Sequence, residues 1–133
     1  MFAIDTQTGI RLMIITKTSQ YPALLRNPEG EVIQELLGIQ AGGATGHSLA
    51  RITMPAGKAS EAHFHKKSEE SYLILSGSAT MVINGEKFYL KAGEAVLIEP
   101  EEVHQIANSG DDNLVFLAVC VPAWQPEDSY AVS

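Results

Sequence analysis

The sequence contains little cysteine, few basic residues and no long hydrophobic run, and each shortage excludes a class of protein. Its single cysteine, Cys120, allows neither an intrachain disulfide nor a zinc site of paired cysteines. Nine lysine and arginine residues against 16 aspartate and glutamate residues give a net charge of −7, which argues against nucleic acids and anionic membranes as partners. Without a run of about 18 apolar residues, no transmembrane helix is expected.

The rest of the composition is that of one folded domain. The chain has 133 residues, of which 45% are hydrophobic, and a domain of this size buries about 68% of the surface that its unfolded chain exposes. Residues 1–5 lack a basic segment followed by an apolar stretch. We therefore expect no secretory signal and a cytoplasmic location.

Short apolar runs separated by glycine, proline or asparagine about every ten residues predict an all-β sandwich or barrel. No segment of about 12 residues keeps a helical period, which argues against a helix-turn-helix. Asn84-Gly85 predicts a hairpin with a type I′ turn. The predicted strands are Ile10–Thr16, Glu31–Leu37, Ser48–Met54, Ser71–Ser76, Ala79–Asn84, Glu86–Leu90, Ala95–Ile98, Gln105–Asn108 and Leu114–Val121.

Two of these strands are apolar on both faces. Tyr72–Leu75 alternates apolar with apolar side chains, and Leu114–Val121 has no polar side. A sheet with one wet face alternates in polarity, so both faces of these strands should be covered. In so short a chain we expect the second cover to be another subunit, which predicts a homodimer. The strand Ile10–Thr16 could then cross to the sheet of the partner.

Three of the four histidines fall in one pattern with a glutamate. His63 and His65 are two residues apart, so on a strand both point to the same face. Residues 66–69 are interpreted as a four-residue hairpin loop, which sets Glu70 opposite His65. His104 opens a later strand, after a turn that contains Pro100.

Two or three imidazoles and one carboxylate on a rigid face suit a divalent transition metal such as Zn, Fe, Mn, Ni, Co or Cu. The alternative is that His63 and His65 are exposed loop residues. Glu69 is the competing carboxylate, and strand alternation turns it away from Glu70.

At these residues the sequence resembles the cupin superfamily. The first cupin motif is matched at every fixed position, by Gly57, His63, His65, Glu70 and Gly77. The second motif is matched in part, by Gly93, His104 and Asn108. Glu99 and Glu101 stand at its proline and glycine positions, and the proline has moved to Pro100. Because proline favours the second position of such turns, we expect a type I turn over residues 99–102.

The resemblance implies an all-β, double-stranded β-helix (jelly-roll) barrel over residues 31–126, with an N-terminal arm at 1–30 and a tail at 127–133. It also implies one divalent metal per chain (Mn, Fe, Ni, Co or Zn), held by His63, His65, Glu70 and His104.

Candidates for a pocket beside the metal are less distinctive. Tyr72, Ile74 and Met81 are wall residues or ordinary barrel core. Arg51 could anchor a carboxylate substrate or extend outward along apolar surface.

Four further residues are assigned from their surroundings in the sequence. Gln34 is a further candidate contact for a substrate. His47 is interpreted as a surface residue and Cys120 as a core thiol. Trp124 closes either a barrel end or a contact between subunits.

Two functions from different classes follow from this pattern. The first is a metal-dependent enzyme acting on a small organic molecule, since four protein ligands leave coordination positions open. The resemblance allows a dioxygenase, an isomerase or a cyclase and selects none of them. The second is a module that binds a metal or small ligand without turnover. No second carboxylate with the right strand parity is evident beside the metal.

Overall fold

The computed structural model describes residues 2–4, 11–20, 25–26 and 30–132. In these residues the chain forms β-strands and one short 3₁₀ helix, Pro126–Asp128, which confirms the all-β prediction. None of the described helical residues form a helix long and apolar enough to span a membrane. The strands are β1 (Phe2–Ile4), β2 (Arg11–Ile14), β3 (Leu25–Arg26), β4 (Val32–Leu37), β5 (Ser48–Met54), β6 (His63–His65), β7 (Glu69–Ser76), β8 (Ser78–Ile83), β9 (Glu86–Lys91), β10 (Ala95–Ile98), β11 (His104–Asn108), β12 (Leu114–Val121) and β13 (Ser129–Ala131).

Two antiparallel sheets build the barrel. One has the strand order β10-β7-β12-β5-β4-β3, and the other has the order β13-β6-β11-β8-β9. Strands β1 and β2 pair with each other in a separate two-stranded sheet. Apolar residues of both larger sheets form one buried cluster, so the core lies between them. This is the predicted jelly-roll arrangement.

The sequence locates the long strands well and misses short ones. Ser48–Met54, Ala95–Ile98 and Leu114–Val121 have the predicted bounds. The predicted hairpin at Asn84-Gly85 is confirmed, because both residues have positive φ and β8 pairs with β9 across them. β1, β3 and β13 have two or three residues each and were not predicted.

The hairpin predicted around residues 66–69 is wrong. β6 pairs with β11 and β13, whereas β7 pairs with β10 and β12, so the connection passes from one sheet to the other. The carboxylate of Asp128 accepts hydrogen bonds from the backbone N–H groups of Lys66, Lys67 and Ser68 and fixes this crossing. As a consequence, the two halves of the first motif face each other across the barrel.

The turn before His104 also differs from its prediction. The backbone N–H of Glu102 donates to the carbonyl of Glu99, and Glu101 at the third position has a φ of 72°. A positive φ at that position belongs to a type II turn and not to the expected type I turn. Glu101 thus adopts the conformation that a glycine would supply.

The inner face of the six-stranded sheet is arranged in rows of cross-strand neighbours. One row consists of large apolar side chains, namely Ile33, Ile52, Phe116 and Ile74. The next row consists of Glu35, Ala50, Ala118 and Tyr72, and the third contains Ser48, Cys120 and Glu70. The first row fills the barrel, and the small residues of the other two leave space above it.

The outer face of this sheet also carries large apolar side chains, on β7, β10 and β12. Leu73, Leu75, Leu97 and Val121 are each between 38% and 51% exposed. Large exposed apolar side chains on one sheet face are typical of an interaction surface.

Candidate metal centre

The three histidines of the pattern lie on neighbouring strands of the five-stranded sheet. His63 and His65 are the two ends of β6, and His104 begins β11, where it is the cross-strand partner of His63. Glu70 approaches from β7 in the opposite sheet. The two sheets therefore bring together all four residues that the sequence proposed as metal ligands.

The four side chains form a compact and largely buried cluster. One ligand atom from each residue lies within 4.8 Å of the corresponding atoms of the others. Glu70 Oε1 is 3.2 Å from Nε2 of His104 and 3.5 Å from Nε2 of His65. Within the described part of the chain, this is the group of histidine, cysteine and acidic residues with the geometry to hold a metal ion.

Backbone carbonyls orient all three imidazoles in the same way. Each ring uses Nδ1 to contact a carbonyl oxygen, so a proton is assigned to Nδ1 and Nε2 is left for the cluster, where it can donate to the carboxylate or bind a metal. The acceptors are Glu61 for His63 at 2.8 Å, Asp128 for His65 at 3.0 Å and Glu102 for His104 at 2.9 Å. Metal-binding histidines are typically held by such contacts at the second ring nitrogen.

A metal ion fits this donor set. Nε2 of His65 is buried and makes no hydrogen bond, which is costly for a polar atom unless another partner binds it. Three imidazole nitrogens and one carboxylate oxygen are ligands that first-row divalent metals accept.

The electrostatics of the cluster favour its ionised carboxylate. Burial by itself raises the pKa of Glu70, but the neighbouring His104 and His65 outweigh this effect and hold that pKa well below its usual range. Burial and the adjacent His104 lower the pKa of His63. Burial also opposes the charged form of His65, yet the adjacent Glu70 raises its pKa overall.

Asp128 supports the cluster from outside it. Its carboxylate holds the 66–68 crossing, which joins the strands that carry His65 and Glu70, and its backbone carbonyl accepts from His65. β13 follows directly and pairs with β6, so residues 128–131 are part of the site's support. On the outer side of β6, Phe64 stacks on Tyr130 with ring centroids 5.2 Å apart.

A cavity of about 590 Å³ adjoins the cluster and includes His63 and Glu70 in its wall. Tyr72 lines this cavity, whereas Ile74 and Met81 are fully buried in the apolar core and are not among its walls. Arg51 pairs with Leu117 and alternates with the inward-facing Ile52, so it lies on the outer face of the sheet.

Several of the other candidates are placed clearly. Trp124 lines the cavity, and its backbone N–H donates to Oγ of Ser48. Gln34 is the cross-strand partner of Arg51 and donates to the carbonyl of Thr18, away from the cavity. The side chains of Glu69 and His47 are exposed.

Three residues that give the cavity wall much of its chemistry were not assigned to it from the sequence. Cys120 is more than a core thiol, because it lines the cavity and its Sγ donates to Oε2 of Glu70 at 3.1 Å. Glu31 and Glu35 are buried carboxylates that also line the cavity. The sequence signal for Glu35 was its position two residues after Ile33, which places both side chains on the same face of the strand. The structure shows that this face points inward, because their cross-strand partners on β5 are the inward-facing Ile52 and Ala50.

Known proteins are similar to this chain in sequence and in fold. An uncharacterized protein of Methanocaldococcus jannaschii is 36% identical over 101 residues, which cover 76% of this chain and 81% of that protein. An oxalate-binding protein of Thermotoga maritima is 34% identical over 115 residues, or 86% of this chain and 95% of the relative.

A solved structure from Thermotoga maritima, described as a predicted oxalate decarboxylase, superimposes with a TM-score of 0.71 and 28% identity and covers 81% of this chain and 98% of its own. The family model described as the cupin domain matches residues 50–120, which run from the middle of β5 to the last residues of β12 and include every residue of the cluster. With the barrel, the motif and these relatives in agreement, the chain belongs to the cupin family.

Proposed function

We propose that this protein is a metal-dependent enzyme acting on a small organic molecule. The metal is a single divalent transition ion, one of Mn, Fe, Ni, Co or Zn, bound by His63, His65, Glu70 and His104. The observation that carries this proposal is the common orientation of the imidazoles, whose Nδ1 atoms contact backbone carbonyls while Nε2 of His65 and of His104 face the Glu70 carboxylate.

The donor set leaves such an ion reactive. Three neutral imidazoles and one carboxylate reduce a divalent charge to about one, and four protein ligands leave positions open on a five- or six-coordinate ion. When bound, the ion would supply Lewis acidity, activation of a bound water or binding of O₂. A structural metal is poorly motivated, because a chain of 133 residues with 45% hydrophobic composition has enough core to fold without one.

The protein's own side chains shape the space beside the ion. Tyr72 is 4% exposed, packs against Phe116 with ring centroids 4.8 Å apart, and lies between the core and the cluster. Burial and then the negative charge of Glu70 raise the pKa of Tyr72 well above its usual value. At neutral pH its phenol is therefore a hydrogen-bond donor. Cys120 orients the second oxygen of Glu70.

The experiment is a search for turnover with defined metals. Apoprotein is loaded separately with Fe(II), Mn(II), Ni(II), Co(II) and Zn(II), incubated with a metabolite mixture with and without O₂, and followed by mass spectrometry. We expect a metabolite to disappear with one metal form and to persist with the His104→Ala variant. Metal-loaded protein that leaves every metabolite unchanged would contradict the enzyme proposal.

A second candidate, a binding module without turnover, is favoured by one specific observation. The relative from Thermotoga maritima that matches 86% of this chain is named an oxalate-binding protein. Tight binding of a small molecule to the metal-loaded protein, with no product in any metal form, would select this alternative.

We also propose that two copies associate through the outer face of the six-stranded sheet. Leu73 and Leu117 are cross-strand neighbours on this face, and Leu97 on β10 and Val121 at the end of β12 extend the apolar surface. An obligate interface of this kind would bury roughly 2,000 Å² or more. Light scattering should report a dimer for the native chain and a monomer for Leu73→Lys, while a native monomer of 14.3 kDa at micromolar concentration would contradict the proposal.

A further inference from the structure

The cavity has two ends of different chemistry. The metal cluster forms one end, with Glu70 on β7. Glu35 on β4 lines the same cavity, and β4 is separated from β7 by β5 and β12. With neighbouring strands about 4.8 Å apart, the backbones that carry these two carboxylates are roughly 14 Å apart.

Small side chains form the floor between these two ends. Ala50 and Ala118 are the neighbours that join Glu35 to Tyr72 across the sheet, and both line the cavity. Larger residues here would fill the space, as Ile52 and Phe116 do in the adjacent row. The open volume of about 590 Å³ falls in the range of pockets that enclose a small-molecule ligand.

Glu35 is a buried carboxylate with a fixed orientation. It is 5% exposed, and its Oε2 accepts a hydrogen bond of 2.7 Å from the backbone N–H of Ala41. Burial raises the pKa of Glu35, while backbone N–H groups of Ala41 and Gln40 oppose this rise. Burial and Glu70 are the main causes that raise the pKa of Cys120, and the negative charge of Glu35 adds to them. The Glu35 carboxylate therefore acts on the part of the cavity wall that Cys120 forms.

The charges of the cavity wall favour hydrogen-bond donors in the ligand. Glu31, Glu35 and Glu61 line the cavity together with Glu70, and among the side chains that the structure describes no lysine or arginine does so. If an elongated dicarboxylate bound at the metal end through one carboxylate, its other carboxylate would be repelled by the negative charge at the Glu35 end. A hydroxyl group can donate to a carboxylate there, and such charge-assisted hydrogen bonds are among the stronger ones.

We propose that the cavity binds a neutral, polyhydroxylated molecule of about the size of a sugar, with one oxygen at the metal end and a hydroxyl that donates to Glu35. This inference rests on the proposed function, because the metal supplies the first anchor. Glu35 is the specificity-determining residue of the second anchor. A two-carbon dicarboxylate such as oxalate would use the metal end alone.

Binding of defined probes to Co(II)-loaded protein tests the inference. The probes are a panel of pentoses, hexoses and their alditols, with oxalate as the anionic comparison, and the readouts are the visible Co(II) spectrum and titration calorimetry. Glu35→Gln keeps an oxygen that can accept from Ala41 and removes the negative charge. Glu86→Gln makes the same change at an exposed position on β9, outside the cavity, and serves as the matched control.

We expect at least one polyhydroxylated probe to bind in the millimolar range or tighter, and Glu35→Gln to weaken it about tenfold or more. The same variant should leave oxalate binding unchanged or tighter, and Glu86→Gln should change neither. Metal stoichiometry and the Co(II) spectrum without probe should be the same in all three proteins.

The outcomes separate this inference from the proposed function. If the native chain takes up no metal, both are wrong. Metal uptake with no binding of any sugar or alditol would overturn the inference and leave the metal centre intact. A polyhydroxylated probe that binds equally well to the native chain and to Glu35→Gln would overturn the role of Glu35.

Discussion

The two ends of the barrel interior are built from the same strands and have opposite character. At the packed end, Ile52, Ile74 and Phe116 are neighbours across β5, β7 and β12 and are almost fully buried. Two residues further along the same strands, at the open end, Ala50, Ala118 and Tyr72 border the cavity beside the metal cluster. Because the backbone pairing continues through both rows, the size and polarity of the side chains decide which end is core and which is site.

The largest effect is expected from removing imidazoles at the open end. His65→Ala or His104→Ala should lower the metal content strongly, because each removes one of the four ligands and leaves its coordination position to solvent. Elemental analysis of protein purified without added metal checks this expectation, and circular dichroism should show the native β-sheet signal. Undiminished stoichiometric metal in a His63→Ala/His65→Ala double variant would contradict the assignment.

Substitutions at the packed end should change the stability of the fold, whereas substitutions at the open end should change ligand binding. Ile74→Ala should lower the free energy of unfolding by about 2–5 kcal/mol, since it opens a void among close-packed side chains. Ala118→Leu should change stability by less than about 1 kcal/mol, because it extends into the cavity, and should abolish ligand binding. Denaturant titrations of both variants make the comparison, and an equal loss of stability would break it.

Because Asp128 supports the metal ligands without being one of them, its removal should lower metal affinity less than the removal of a histidine does. Asp128→Ala removes the acceptor for three backbone N–H groups at the crossing between β6 and β7. We expect metal affinity to fall about 10- to 100-fold, as measured by competition with a chelator.

Asp111→Ala provides the control for this variant, because it removes an exposed aspartate that belongs neither to the cluster nor to the cavity wall. If Asp128→Ala lowers the melting temperature and leaves metal affinity unchanged, Asp128 stabilises the fold without positioning the ligands.

The smallest effect is expected at the turn that precedes His104. Glu101 has a φ of 72°, which is strained for a residue with a Cβ atom. Glu101→Gly should therefore raise the free energy of unfolding by about 1 kcal/mol. Glu101→Ala removes the same charge and keeps the Cβ atom, so a similar gain in both variants would assign the effect to charge and not to backbone conformation.

The sequence predicted the parts of this molecule that depend on local pattern. The bounds of β5 and β12 follow from their apolar residues and flanking turns, and the type I′ hairpin follows from Asn84-Gly85. The four members of the cluster were found from the spacing of the histidines and Glu70 together with the resemblance to the cupin motifs.

The parts that depend on tertiary pairing were not predictable in the same way. Local spacing cannot distinguish a hairpin from a crossing between sheets, which is why residues 66–69 were misinterpreted. The role of Asp128 depends on a contact 60 to 62 residues away. Glu35 shares the parity of Ile33, but the sequence alone does not show which face of β4 points inward, and the register with Ala50 establishes it.

Anomalous diffraction from crystals of the Co(II)-loaded protein tests the central claim most directly. The claim is that one end of the barrel is a metal centre and that the other is its packed support. We predict one anomalous peak per chain, within bonding distance of the Nε2 atoms of His63, His65 and His104 and of a carboxylate oxygen of Glu70. Loaded crystals with no peak among these four side chains, or with peaks at surface carboxylates alone, would contradict the account.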